Sequence, residues 1–375
     1  MDISFKLDPE VLIGSNTLSM AGTIASRHGS RMMIAADHKL ETQLVNRLKE
    51  VLEDSGLEAI IFNGIEEDSS VEMAENIVEL SRAAHCDAII GFGGYKTQII
   101  ARMAAIMAPE KISAFELLDG RNIQNKFLSL ISIPTNGMDS FSLTKYFIAS
   151  DPRNRQLKLI PSPDNLYTAL IIDNNLLNVL TSENAAALVL EGFFSAIEAY
   201  CSTKANFISD TLLEKALGFY AKLLRGASNG INAEVFTQAN FLSSAGSSLS
   251  SPGIGAGLSA AINARSSAAK PLCSAVLFPH IVQRFVTARP EKIARVASAL
   301  GNAKAASVAE AAASAVEGIR RLMAALNVPS DLKQYNISLD RLTAAAEAAR
   351  NLDFVANSPW TISEDEVFKI LKEIL

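Results

Sequence analysis

The feature that most constrains this chain is a change of period part-way along it. Up to about Thr181, short β-branched runs alternate with amphipathic helical stretches; beyond that point strand-like runs stop and alanine-rich helical segments continue almost to the end. RMMIAAD (31–37), LEAIIFNG (57–64), DAIIGFGG (87–94) and LSLISIPT (128–135) are compact apolar runs ending in turn residues, the pattern of strands buried on both faces. Between them, 39–56 and 70–86 carry apolar residues at helical spacing, with Gly56 as a stop. Strand, helix, strand, helix predicts a parallel sheet with right-handed crossovers. KYFIAS (145–150) and YTALIID (167–173) read as a further strand pair joined by a loop at SPDN. The expectation is an α/β, Rossmann-like nucleotide-binding domain over residues 1–181 and an all-α domain over 182–375.

Helices are expected over 182–202, 209–224, 290–300, 306–326 and 339–350, with Ser182 as an N-cap and Ser363 followed by Glu366 as a capping pattern. Segment 243–270, rich in Gly, Ser and Ala, has two readings: a flexible linker or closely packed helices, the latter favoured by its apolar flanks. A chain of 375 residues is long enough for two sizeable cores. With 34 basic against 40 acidic side chains it lacks the basic excess that a nucleic-acid partner requires. Its longest apolar stretch, 252–282, is broken by Arg265 and Lys270, so no membrane span is expected. The opening residues show no secretory pattern. Cys86, Cys201 and Cys273 are too scattered for a disulfide framework or a zinc knuckle, which suits a reducing cytoplasm.

Four segments then converge in order on one family. DAIIGFGGYKTQIIAR (87–102) has a glycine-rich strand-to-helix loop, SIPTNGMDSFSLT (132–144) a Pro-Thr loop, ALVLEGFFSAIEAYCSTKANFISD (187–210) a long helix, and ANSPWTISEDEVFKILKEIL (356–375) a C-terminal Asn-Pro-like segment. Together they resemble the iron-containing (group III) alcohol dehydrogenases, the superfamily of glycerol dehydrogenase and dehydroquinate synthase. The resemblance implies a nucleotide-binding α/β domain, a helical domain and an active site in the cleft between them. It also implies NAD or NADP as cofactor, a small-molecule alcohol or carbonyl substrate and, since relatives are commonly dimers, a homodimer.

In that family a divalent metal held by one Asp and two or three His polarises the reacting oxygen, because a cation stabilises a developing alkoxide. This chain has four histidines, His28, His38, His85 and His280, and they do not make that set. Where the family's helix reads Asp-x-x-x-His, here stand Glu191 and Ser195; the next His position falls at Leu258 or Ser259, and the last at Lys270. The expectation is a lost metal site. His280 is expected at a helix start, packed near the domain interface. Lys270 has two readings: an ammonium supplying positive charge beside a substrate oxygen, or a solvated lysine at a loop end bounded by Pro271. Glu191 can pair with it, act as a base, or be a surface carboxylate.

The glycine loop keeps Gly93 and Gly94 for close approach to a pyrophosphate, with Tyr95 and Lys96 where the family has its third Gly and a Ser. Ile99 and Arg102 stand at the family's Asp and Lys. The resemblance places Asp37 beside the adenosine ribose, where a carboxylate disfavours a 2′-phosphate. It places Thr135, Asn136, Asp139 and Ser142 beside cofactor or substrate, although Asn-Gly and Asp-Ser are also ordinary turn pairs. Three functions follow: a metal-independent oxidoreductase using Asp139, Glu191 and Lys270; a catalytically degenerate relative that binds a nucleotide or metabolite; or another reaction on a phosphorylated sugar or polyol, with Lys96, Arg265 and Lys270 as anion contacts.

Overall fold

Alternation along the central strands decides the N-terminal architecture. In β2 (Arg31–Asp37), Met33 and Ala35 join one buried cluster while Met32, Ile34 and Ala36 join another, so both faces of the strand are covered. The computed structural model describes residues 6–66, 71–123, 126–179, 182–226, 230–302 and 305–374, without the side chains of 178–179 and 182–184. Two units emerge: 1–138, 145–154 and 158–179 form the first, and 139–144, 155–157 and 180–375 the second.

The first unit contains β1 (Glu10–Gly14), α1 (Ala21–Ala25), β2, α2 (Thr42–Glu53), β3 (Glu58–Ile65), α3 (Met73–Ala83), β4 (Ala88–Gly93), α4 (Tyr95–Glu110), α5 (Ala114–Leu118), β5 (Ser129–Pro134), β6 (Tyr146–Ser150), β7 (Leu157–Pro161) and β8 (Tyr167–Asp173). Six strands make one sheet in the order β1-β8-β5-β4-β2-β3, every pairing parallel. One face packs on α3 and α4, the other on α1 and α2. Hydrophobic burial drives this: Ile90 and Phe92 are fully buried, each contributing roughly 1.5–3 kcal/mol. The chain leaves β2 for β3 on one side and returns to place β4 on the other. In a doubly wound sheet, ligands bind at the carboxyl ends of the strands flanking such a reversal.

Two strand readings need correction. β6 does not pair with β8; it forms a separate two-stranded ribbon with β7, a strand the sequence reading leaves unassigned because LKLIP is short and only partly buried. β1 was also missed: its five residues are exposed or half-buried and acquire strand character by pairing with β8, more than 150 residues away.

The second unit is helical: α6 (Ser182–Cys201), α7 (Phe207–Gly226), α8 (Ala233–Leu249), α9 (Ile254–Asn263), α10 (Lys270–Ala288), α11 (Pro290–Ala299), α12 (Val308–Ala325), α13 (Leu339–Arg350) and α14 (Glu364–Glu373). The Gly/Ser/Ala segment supplies the end of α8, all of α9 and the start of α10, so it is packed helix and not linker. Its small residues permit close approach: a Cβ on Gly255 would lie 2.2 Å from Phe194 Cζ, and one on Gly246 2.5 Å from Leu213 Cγ. Ser363 caps α14 by accepting from the Glu366 amide. The Ser182 side chain lies outside the described residues. Among the described residues no helix is long and apolar enough to cross a membrane.

Candidate functional site

Several predicted cofactor residues meet at the carboxyl ends of β2, β4 and β5. Gly93 ends β4 so close to the end of β2 that a Cβ on it would lie 2.8 Å from Asp37 Cβ and 2.7 Å from Thr97 Oγ1. A Cβ on Gly94 would lie 2.7 Å from Asn136 Nδ2. Thr135 donates its amide to the Gly93 carbonyl (3.2 Å), which ties the Pro-Thr loop to the glycine loop. Gly94 is the N-cap of the 16-residue α4 and offers no side-chain acceptor; half-buried Tyr95 and Lys96 follow, and the Gln98 amide donates to the Gly94 carbonyl (3.0 Å). Gln98, one turn in, was not anticipated. It donates to the carbonyls of Gly91 (2.9 Å) and Gly93 (3.2 Å) and accepts from Ser132 Oγ (2.7 Å), holding the turn rigid.

Asp37 is half-buried, and its Oδ1 accepts from the Lys39 amide (3.0 Å). Arg102, matched above to a family lysine, is elsewhere. It is 2% exposed, donates to the Tyr167 hydroxyl and lies over the Phe147 and Tyr167 rings, so it is a core cation and not a ligand contact.

In the helical unit the decisive geometry is an ion pair. Lys270, the first residue of α10, is 5% exposed and pairs through Nζ with Glu191 Oε1 on α6, itself 12% exposed. The solvated-loop reading of Lys270 is therefore wrong, because its ammonium is buried against a carboxylate. Ser274, one turn along α10, donates from Oγ to the same oxygen at 3.5 Å. Next to Glu191, Gly192 has no room for a side chain: a Cβ there would sit 2.3 Å from the Tyr220 hydroxyl, which accepts from Asn240 Nδ2 (2.6 Å).

Asp139 and Ser142 are engaged in a turn. Asp139 Oδ1 accepts from the Phe141 amide and from Ser142 Oγ, both at 3.0 Å. Asp139 Oδ2 is buried without a partner, as are Ser140 Oγ and Ser247 Oγ, which leaves polar capacity for a ligand hydroxyl. Glu198, two turns after Glu191, was not anticipated. It is 2% exposed and accepts from the Gly255 (2.7 Å) and Ala256 (3.0 Å) amides at the N-terminus of α9; burial pushes its carboxyl up to about 7 despite those donors. A lone Glu in the apolar run FFSAIEAYC was the available signal, since a buried carboxylate needs dedicated partners.

The model of the family Iron-containing alcohol dehydrogenase matches residues 8–174, and that of Fe-containing alcohol dehydrogenase family, C-terminal, matches 185–375. The chain belongs to the iron-containing alcohol dehydrogenase family. It is similar to 1,3-propanediol dehydrogenase of Citrobacter freundii, 22% identical over 369 residues that cover 96% of this chain and 95% of the relative. Among solved structures, a 1,3-propanediol oxidoreductase superposes with a TM-score of 0.92 at 21% identity, covering 100% of both chains. Sulfoacetaldehyde reductase from Bifidobacterium kashiwanohense in complex with NAD+ superposes with a TM-score of 0.84 at 15% identity, covering 100% of this chain and 99% of that one.

As a member of the family the chain is an alcohol dehydrogenase-type oxidoreductase. The metal that the family name implies does not fit the residues to which the resemblance assigns it. Glu191 is already engaged by an ammonium, Ser259 Oγ turns back to donate to the Ala256 carbonyl (3.1 Å), Leu258 has no ligand atom, and Ser195 offers only a hydroxyl. Among the described residues no three His, Cys, Asp or Glu are placed to hold a metal ion. His280 is not at a helix start either: it lies mid-way along α10 with Nδ1 2.6 Å from Glu373 Oε2. His38 Nδ1 is 3.1 Å from the Ile65 carbonyl, and His28 Nδ1 is 3.4 Å from Ser129 Oγ.

Proposed function

We propose that this family member interconverts an alcohol and a carbonyl compound with a nicotinamide dinucleotide, and that the Lys270–Glu191 pair does the work its relatives give to a metal. The observation that carries the reading is the buried ion pair at the matching metal positions. Gly93 and Gly94 give the pyrophosphate close access to the backbone at the N-terminal end of α4, while Thr135 and Asn136 border it. Asp37, at the end of β2, would meet an adenosine ribose and repel a 2′-phosphate, which favours NAD over NADP. The complex of the sulfoacetaldehyde reductase with NAD+ supports that choice of cofactor.

A bound nicotinamide dinucleotide would supply the hydride for the carbonyl carbon on reduction and accept it on oxidation. Lys270 Nζ supplies the proton that the carbonyl oxygen takes up on reduction, and the amine so formed is reprotonated from solvent; oxidation runs the same transfer backwards. Glu191 keeps the ammonium charged and oriented, and Ser274 holds Glu191. Asp139 Oδ2 is the candidate acceptor for a substrate hydroxyl.

The test is metal analysis of purified protein, followed by NADH titration and aldehyde reduction before and after chelation. The expected result is saturable NADH binding and chelator-insensitive turnover, with Lys270→Met lowering kcat by about 100- to 10,000-fold. Turnover that requires an added divalent cation would overturn the metal-free mechanism.

A further inference from the structure

Lys270 has its carboxylate, but a second buried cation of the helical unit has none. Arg265, in the connection from α9 to α10, is 6% exposed, and its side chain makes one hydrogen bond among the described residues, from Nη1 to the Ala261 carbonyl (3.2 Å). No carboxylate of the described residues pairs with it. Its charged neighbours have its own sign. Arg155, exposed and in the left-handed region (φ 58°), acts with burial to lower the Arg265 pKa; Arg341, on α13, donates from Nη1 to the Arg265 carbonyl (3.4 Å). Asn263 Nδ2 pins the same connection by donating to the Ala268 carbonyl (2.9 Å). A guanidinium stays charged at any working pH, and a charge removed from water without a counter-charge costs several kcal/mol.

We propose that Arg265, with Arg155 and Arg341, is an anion-binding station that takes the carboxylate, sulfonate or phosphate at the far end of the alcohol or aldehyde substrate. Its planar fork matches two oxygens of such a group, and it lies five residues before Lys270 on one short connection. The substrate class, an ω-oxyanion aldehyde, rests on the oxidoreductase reading above; the station itself does not. Lys270, neutralised by Glu191, is left for the reacting oxygen and does not serve as an anion contact.

Two measurements separate these claims. The first compares kcat/KM for 4-oxobutanoate with that for butanal in the wild type, Arg265→Met and Arg265→Lys. The wild type should prefer the anionic aldehyde, and Arg265→Met should collapse that preference by about 100-fold, with Arg265→Lys in between. An unchanged ratio in both variants overturns the station as a substrate reader. The second is calorimetric titration with inorganic phosphate. Binding by the wild type that is lost in Arg265→Met supports the station even if no aldehyde is reduced, in which case the oxidoreductase reading alone fails. Phosphate binding that survives in both Arg265→Met and the Arg155→Ala/Arg341→Ala pair places the anion elsewhere and overturns it. Arg265→Met replaces a buried charge by an apolar side chain of similar length, and Arg265→Lys keeps the charge if the first variant fails to fold.

Discussion

Replacing Lys270 by Met strands a carboxylate. Glu191 is 12% exposed and Lys270 5%, so little solvent is available to re-solvate the partner left behind. Unit charges about 4 Å apart attract by roughly 4 kcal/mol at an effective dielectric constant near 20, and breaking a buried pair from one side costs about 3–5 kcal/mol. Lys270→Met and Glu191→Gln should each lower unfolding free energy by that order, less for Glu191→Gln because the amide oxygen still accepts from the ammonium. The double variant Lys270→Met/Glu191→Met should lie within about 1–2 kcal/mol of the wild type or above it, since an apolar pair removes both desolvation costs. The coupling energy for the Met pair is then about 3 kcal/mol or more in magnitude. Urea unfolding followed by Trp360 fluorescence is the assay. Trp360 is the chain's single tryptophan, and its ring packs edge-on at 4.9 Å against Phe285 of α10, the helix that Lys270 opens. A coupling below about 0.5 kcal/mol, the value of an exposed pair, would refute the reasoning that this pair is sealed from solvent.

Gly93→Ala should cost about 1–3 kcal/mol and weaken NADH binding, because its Cβ would press on Asp37 and Thr97; thermal unfolding and NADH fluorescence titration report the two effects. Asp37→Ser should shift the NADPH-to-NADH affinity ratio upward by about tenfold, or 1.4 kcal/mol, and an unchanged ratio would remove Asp37 from the ribose position. Glu198 sets a pH dependence. Burial raises its folded-state pKa to about 7, above the ordinary glutamate value of 4.5, so the stability it contributes is complete below about 4.5 and is lost as pH rises through 7. The loss amounts to about 3 kcal/mol from 2.5 pH units at 1.36 kcal/mol each, and Glu198→Gln should flatten it in urea titrations run from pH 5 to 8; an opposite slope defeats the assignment.

Much of the architecture was legible because burial writes a period into the chain. The strands β2, β3, β4, β5, β6 and β8 and the helices α6, α7, α11, α12, α13 and α14 were visible as apolar runs or helical spacing, with errors mainly at their ends. β1 and β7 were not, since each is a five-residue strand with exposed positions whose identity depends on a partner distant in sequence or across a turn. The glycine loop and Asp37 were legible as motif positions, but their meeting is a property of strand order: β4 lies beside β2 only because the chain reverses direction across the sheet.

The helical unit divides along the same line. Local chemistry sets which residues can be helical and where Ser363 caps, because each of these is carried by a residue or its near neighbours. Whether Lys270 is solvated or paired, whether Glu198 is a surface carboxylate or the buried cap of α9, and whether Arg265 meets a counter-charge are not local properties. They depend on side chains 50 to 110 residues apart being brought out of water together, and the cost of an uncompensated charge is decided only when the tertiary fold excludes that water.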